Sequence, residues 1–108
     1  ETFTYVAREL GKRGIAFICS REKQADDSIG RQIKAAFGGP YIANERFDKQ
    51  SANAALADGW ADAVAFGVPF IANPDLPARL AADAPLNEPR PESFHGGGAV
   101  GYIDYPRL

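Results

Sequence analysis

Residues 62–76, Asp-Ala-Val-Ala-Phe-Gly-Val-Pro-Phe-Ile-Ala-Asn-Pro-Asp-Leu, place an apolar run, a glycine and an asparagine-proline pair in close succession. Ala63 to Phe66 has no polar alternation, which suits a strand covered on both faces, as parallel strands are. Gly67 lets the backbone turn sharply or approach a ligand closely. Asn73 is then expected to cap a helix whose first position is Pro74, where a missing N–H costs nothing. Pro77 still falls among the first four N–H groups, which have no intrahelical partner, so it need not break that helix. Strand, glycine turn and capped helix together make the anatomy of a phosphate-holding βα turn. The same residues serve equally well as an ordinary strand-to-helix connection.

Other reactive residue types are sparse. Cys19 is the single cysteine, so an internal disulfide or a cysteine metal cluster is out of reach, in keeping with a reducing compartment. It follows the apolar run Ile15-Ala16-Phe17-Ile18 and is expected to be a buried or half-buried inert thiol. Asp26-Asp27 could suggest acid/base or metal work, but adjacent carboxylates before a helix favour its positive dipole end and read as caps. Trp60 follows a helix-ending glycine and reads as packing on the outside of the fold. No metal site is expected.

At 108 residues the chain is one small domain at most, short of the roughly 200 or more that a closed β/α barrel needs. Its net charge of −2 argues against a nucleic-acid partner, which would call for a basic face. No run approaches the roughly 18 apolar residues of a membrane span, and no secretory pattern opens the sequence, so a cytoplasmic location is expected.

The elements around these residues alternate. Phe3, Val6, Ala7 and Leu10 recur at helical spacing, and Gly11 stands where a helix would end. Ile15 to Cys19 reads as a buried strand and Ser20 to Asp26 as a polar loop. A second helix, capped by Asp27 or Ser28, has Ile29, Ile33 and Phe37 on one face and ends at Gly38-Gly39-Pro40. Tyr41 to Asn44 is a strand. Asp48 caps a third helix with an inner face of Ala52, Ala55 and Leu56, closing at Gly59, and Ala63 to Phe66 is the third strand. Strands and helices at this spacing predict an α/β fold of parallel neighbours in sequence order, with right-handed crossovers and helices on one face. The opposite face is expected to be apolar and in need of cover. The division expected is residues 1–82 as three βα units and 83–108 as an ordered tail laid on them. Phe94, Tyr102, Ile103 and Tyr105 make that tail too apolar for a disordered linker, although a flexible-linker reading stays open.

The runs Leu10-Gly11-Lys12-Arg13-Gly14-Ile15-Ala16, Asp62 to Gly67, Phe70 to Leu76, Arg90 to Gly98 and Gly101 to Pro106 resemble the C-terminal part of the old yellow enzyme family, with the nearest likeness to its bacterial xenobiotic and nitrate ester reductases. The resemblance covers essentially the whole chain. It implies strands six to eight, with their helices and tail, of a TIM-type (β/α)8 barrel that binds FMN at the C-terminal ends of its strands. It further implies reduction of that flavin by NAD(P)H and reoxidation by activated alkenes, nitrate esters or nitroaromatics. The family's histidine/asparagine substrate clamp, its tyrosine proton donor and the residue tuning the flavin carbonyl all precede this segment. No catalytic residue is therefore assigned, and the chain alone is expected to be inactive.

The resemblance places the flavin phosphate between the loops Ala43-Asn44-Glu45-Arg46 and Phe66-Gly67-Val68. Where much of the family has a phosphate-binding arginine after the glycine, this chain has Val68, which offers only its backbone N–H. Arg46 is the available substitute, since a guanidinium fork suits phosphate. An exposed loop arginine paired with Glu45 is the other reading. His95, the single histidine, stands where the family usually has a tyrosine lining the substrate side of the flavin, and it adds a group that titrates near neutral pH. It reads equally as a neutral spacer. Three functions remain open: part of an FMN-dependent reductase, a non-catalytic half-barrel binding a phosphate ligand or serving assembly, and an inactive fragment. Pairing with a missing barrel segment on another chain, or self-association, is expected because opening a barrel leaves two strand edges unpaired.

Overall fold

A computed structural model describes residues 1–23 and 25–108, so Gln24 of the expected polar loop lies outside the described residues. The chain divides into two compact units, Glu1–Ala65 and Phe66–Leu108.

The first unit holds helices α1 (Thr2–Lys12), α2 (Gly30–Phe37) and α3 (Lys49–Ala57) and strands β1 (Ile18–Arg21), β2 (Tyr41–Asn44) and β3 (Ala63–Ala65). The strands form one parallel sheet in the order β1-β2-β3, as the alternation predicts. Ile18 pairs with Tyr41 and Ser20 with Ala43, while Ala43 pairs with Val64. Because side chains alternate along a strand, Ile18, Ser20, Tyr41, Ala43 and Val64 share one face and Cys19, Arg21, Ile42, Asn44, Ala63 and Ala65 share the other. Tyr41 and Ala43 are buried on the first face, whereas Cys19, Arg21 and Ala63 are exposed on the second.

Several expectations in this unit need correction. The first strand begins three residues late. Ile15 and Phe17 are exposed, and the ladder opens only where Ile18 N–H reaches Pro40 O at 3.1 Å, then carries through polar Ser20 and Arg21 because Ala43 and Asn44 stand opposite. Cys19 consequently points out of the open face and is exposed, not buried. Likewise β3 is not covered on both faces, since Ala63 is exposed and Val64 and Ala65 are half-buried. Leu56 is exposed as well, leaving Ala52 and Ala55 as the buried face of α3.

Helix ends show where local chemistry was and was not enough. Asp48 caps α3 as expected, its carboxylate accepting Ser51 N–H at 2.7 Å in a capping box. Gly38 closes α2 with φ 78°, in the left-handed region. Neither Asp27 nor Ser28 caps α2. The helix starts after Ile29, whose N–H donates to Glu22 Oε1 at 2.7 Å, so a carboxylate from the end of β1 takes the role. Gly11 does not end α1. It lies inside the helix, where a β-carbon would overlap Phe37 O and sit 3.2 Å from the Phe37 carbonyl carbon, so its function is close approach to the end of α2.

The second unit contains α4 (Val68–Ala72), α5 (Leu76–Ala81) and a one-turn 3-10 helix at Pro91–Ser93. Helix α4 is absent from the sequence expectation. Phe70 and Ile71 N–H both reach Gly67 O at 3.0 Å, which folds a β-branched, aromatic run into a short helix straight after the glycine. That helix displaces Asn73 from its expected role. Asn73 ends α4, with φ −135° and ψ 92°, and Asp75 precedes α5; Pro77 does lie in the first turn of α5.

Candidate functional site

The C-terminal ends of β1 and β2 carry a compact charged group. Asn44 is the last residue of β2, and its Oδ1 accepts Glu45 N–H at 2.7 Å. Glu45 and Arg46 follow with φ 98° and 59°, two successive non-glycine residues in the left-handed region. Such backbone costs on the order of 1–3 kcal/mol per residue and persists where its surroundings hold it. The Glu45 carboxylate receives Arg21 Nε in a close ion pair and faces Arg46 Nε at 3.6 Å. Arg21 keeps the Glu45 carboxyl below the usual carboxylate range, with desolvation opposing and Arg46 adding less. The Arg46 side chain stays 72% exposed. Ala43, the residue before Asn44 in β2, is fully buried.

Arg21 is the residue that sequence reasoning missed here. Its signal was hidden by the strand boundary: with β1 ending at Cys19 it falls in a loop, whereas in register it stands opposite Asn44.

The second unit places Phe66, Gly67 and Val68 at the start of α4. Phe66 is half-buried, Gly67 and Val68 are exposed, and nothing lies within 4 Å of a β-carbon built on Gly67. Phe70 N–H is taken by Gly67 O and Pro69 has none to offer, which leaves Val68 N–H as the group at this helix start without a partner within the helix. His95 is exposed, its ring edge-on to Phe94 at 6.4 Å between centroids. Ala43 to Arg46 thus belong to the first unit, and Phe66 to Val68 and His95 to the second.

Trp60 lies against Tyr41 and Phe47, each 6.3 Å between centroids, with the Arg31 guanidinium 5.5 Å over its ring. This is packing, as expected. Among the described residues, no group of three or more histidine, cysteine, aspartate or glutamate side chains could hold a metal ion.

No profile of a described protein family matches the chain. It is 37% identical over 109 residues to a 12-oxophytodienoate reductase-like protein of Solanum lycopersicum, covering 97% of this chain and 30% of that protein. It is 48% identical over 95 residues to 12-oxophytodienoate reductase 1 of Oryza sativa subsp. japonica, covering 87% and 24%. Among solved structures, morphinone reductase in complex with tetrahydroNAD, as the N189A mutant, superposes with a TM-score of 0.90 at 46% identity, covering 98% of this chain and 30% of that one. The old yellow enzyme homologue from Zymomonas mobilis gives 0.91 at 37% identity, covering 98% and 32%. The chain therefore spans about 30% of the length of the curated relatives it matches first. Its parallel strands and helices are the C-terminal portion, strands six to eight, of a TIM-type barrel.

Proposed function

We propose, on the premise that this chain belongs to the old yellow enzyme family over nearly all of its length, that it supplies the phosphate-holding part of an FMN-dependent oxidoreductase. The observations that carry the reading are two βα loops, one following β2 in the first unit and one opening the second unit, each taken by itself. One presents an exposed guanidinium beside a strained backbone; the other presents a glycine with open space around it followed by the start of a helix. Both suit a doubly charged phosphate, so the residues present fit the cofactor.

In this reading Asn44 to Arg46 and Gly67 to Val68 hold the phosphate, with Arg46 giving the side-chain charge and Val68 only its N–H. Arg21 has a supporting part. By taking the closer hold on Glu45 it neutralises a carboxylate that would repel phosphate, and it leaves Arg46 as the looser partner, able to turn to an anion. Ala43 and Phe66 shape the two loops, and His95 lines the flavin on its substrate side. FMN, when bound, supplies hydride transfer from NAD(P)H to an activated alkene, nitrate ester or nitroaromatic. None of the residues of this chain takes a proton in that step, so the chain by itself is inactive. The open sheet face is covered by the preceding barrel strands, on this polypeptide or a partner, and the assembled enzyme works in the cytoplasm. No helix among the described residues is long and apolar enough to cross a membrane.

The test is flavin retention after the chain is joined to, or co-expressed with, preceding barrel strands of a relative. A yellow complex is expected, against a colourless chain alone. Charge-assisted bonds contribute about 1.5–3 kcal/mol each, so Arg46→Ala should weaken FMN binding by roughly tenfold or more. Val68→Arg should restore part of it. Unchanged affinity in Arg46→Ala would remove the arginine from the site, and a colourless assembled complex would remove the flavin reading.

A further inference from the structure

The tail of the second unit closes on itself at two levels. At its base the Arg79 guanidinium, 5% exposed, donates to Asp75 Oδ1 at 2.8 Å, Pro85 O at 2.6 Å and Pro106 O at 2.8 Å. Asp75 Oδ2 accepts Leu108 N–H at 2.8 Å, and Asn87 Nδ2 bridges Ala72 O and Pro106 O. One buried cation thus joins the two ends of the loop. Higher up, Arg90 lies 4.2 Å over the Tyr105 ring and pairs with Asp104 at 2.7 Å, while Tyr105 Oη accepts Arg90 N–H. These charged side chains are 36% and 43% exposed, so solvent and salt weaken the upper closure far more than the base.

Beyond the upper closure, residues 91–103 carry local hydrogen bonds: Phe94 N–H donates to Pro91 O at 3.2 Å, and Tyr102 and Ile103 N–H to Ala99 O at 3.0 Å. Gly101, with φ 76°, backs so closely onto Ser93 that a β-carbon would collide with its side chain, and Gly101 N–H donates to Asp104 Oδ1 at 2.7 Å. Val100, Tyr102 and Ile103 are each about 70–80% exposed, and Gly96-Gly97-Gly98 adds backbone freedom. Between this tip and α4 runs an apolar groove of about 460 Å3, lined by Phe70, Ile71, Phe94, Tyr102 and Ile103.

We propose that residues 91–103 are a lid, hinged at Arg90 and Asp104, that opens and closes the apolar groove over α4 while the Arg79 latch keeps the base of the tail fixed. A region with few buried contacts and one exposed closure opens locally at lower free energy than the ladder or latch around it. The hydrogen bonds of the tail define the lid whether or not flavin binds.

Hydrogen exchange and side-chain NOEs on the full chain test it. In Arg90→Ala, Gly101 N–H should exchange roughly tenfold faster and NOEs from Tyr102 and Ile103 to Phe70 and Ile71 should weaken, while Asn87 and Leu108 N–H keep their protection. In the unaltered chain, raising salt should speed Gly101 exchange and leave Leu108 unmoved, a measurement that needs no variant to fold. Loss of protection at Gly101, Asn87 and Leu108 together, in either experiment, would make the tail one cooperative piece and overturn the lid.

Discussion

The two units solve the same problem by different means. In the first, strand backbones satisfy one another along a parallel ladder, and the buried set is apolar: Ala7, Ile33, Phe37, Tyr41, Ala43, Phe47, Ala52, Ala55 and Ala61. The second has no strand. Its carbonyls still need donors, and the two buried polar residues among those described, Asn73 and Arg79, both lie there. Asn73 Nδ2 donates to Pro69 O at 2.8 Å and its Oδ1 accepts Asn87 N–H at 2.8 Å, tying the end of α4 to the tail. A ladder spreads its stability over many interchangeable apolar residues. An irregular fold concentrates it in a few polar ones that cannot be exchanged.

The sharpest test of this difference is Arg79→Ala. It leaves the Pro85 carbonyl without its donor, the Pro106 carbonyl with Asn87 Nδ2 alone and Asp75 without its buried cation, and a loss on the order of 3 kcal/mol is expected in the second unit. Trp60, the single tryptophan, reports on the first unit. Denaturant titration followed by its fluorescence should barely move while protection of Leu108 N–H collapses. An equal shift in both would mean the two units unfold as one.

Gly11→Ala probes the first unit at the one place where its backbone is crowded. Alanine gains about 1 kcal/mol of helix propensity over glycine. The new β-carbon meets the Phe37 carbonyl, which is backbone and cannot swing aside, and overpacking costs about 1–3 kcal/mol. The net expectation is a loss of up to about 2 kcal/mol in the Trp60 transition, with no change in the tail. A stabilised variant would show that α1 and α2 can slide apart.

The smallest effect comes from acid. Leu108 N–H, and then Arg79, hold the Asp75 carboxyl below its ordinary value. A lowered folded value means that ionised Asp75 stabilises the fold above the ordinary carboxylate pKa of about 3.9, and that this contribution disappears as pH falls through the lowered value. Protection of Leu108 N–H should therefore decline on acidification below about pH 4, and Asp75→Asn should flatten that decline. A tail whose protection is indifferent to acid would leave the latch to the carbonyls of Pro85 and Pro106 alone.

Where periodicity and capping operate within a few residues, sequence alone determined the outcome. Helix α3 with its Asp48 cap, the glycine stop at Gly38, the limits of β2 and the order of the parallel strands follow from apolar spacing and local hydrogen bonding. The loops at Asn44 to Arg46 and at Gly67 were legible for the same reason and through the resemblance of the surrounding runs. Tertiary structure decided what depends on a distant partner. The start of β1 waits for Pro40, the cap of α2 comes from Glu22, Gly11 answers to Phe37, and Arg21 meets Glu45 only when β1 and β2 are in register. Asn73 and Arg79 give no periodic signal at all, because what makes them indispensable is the set of carbonyls that an irregular chain brings back to them.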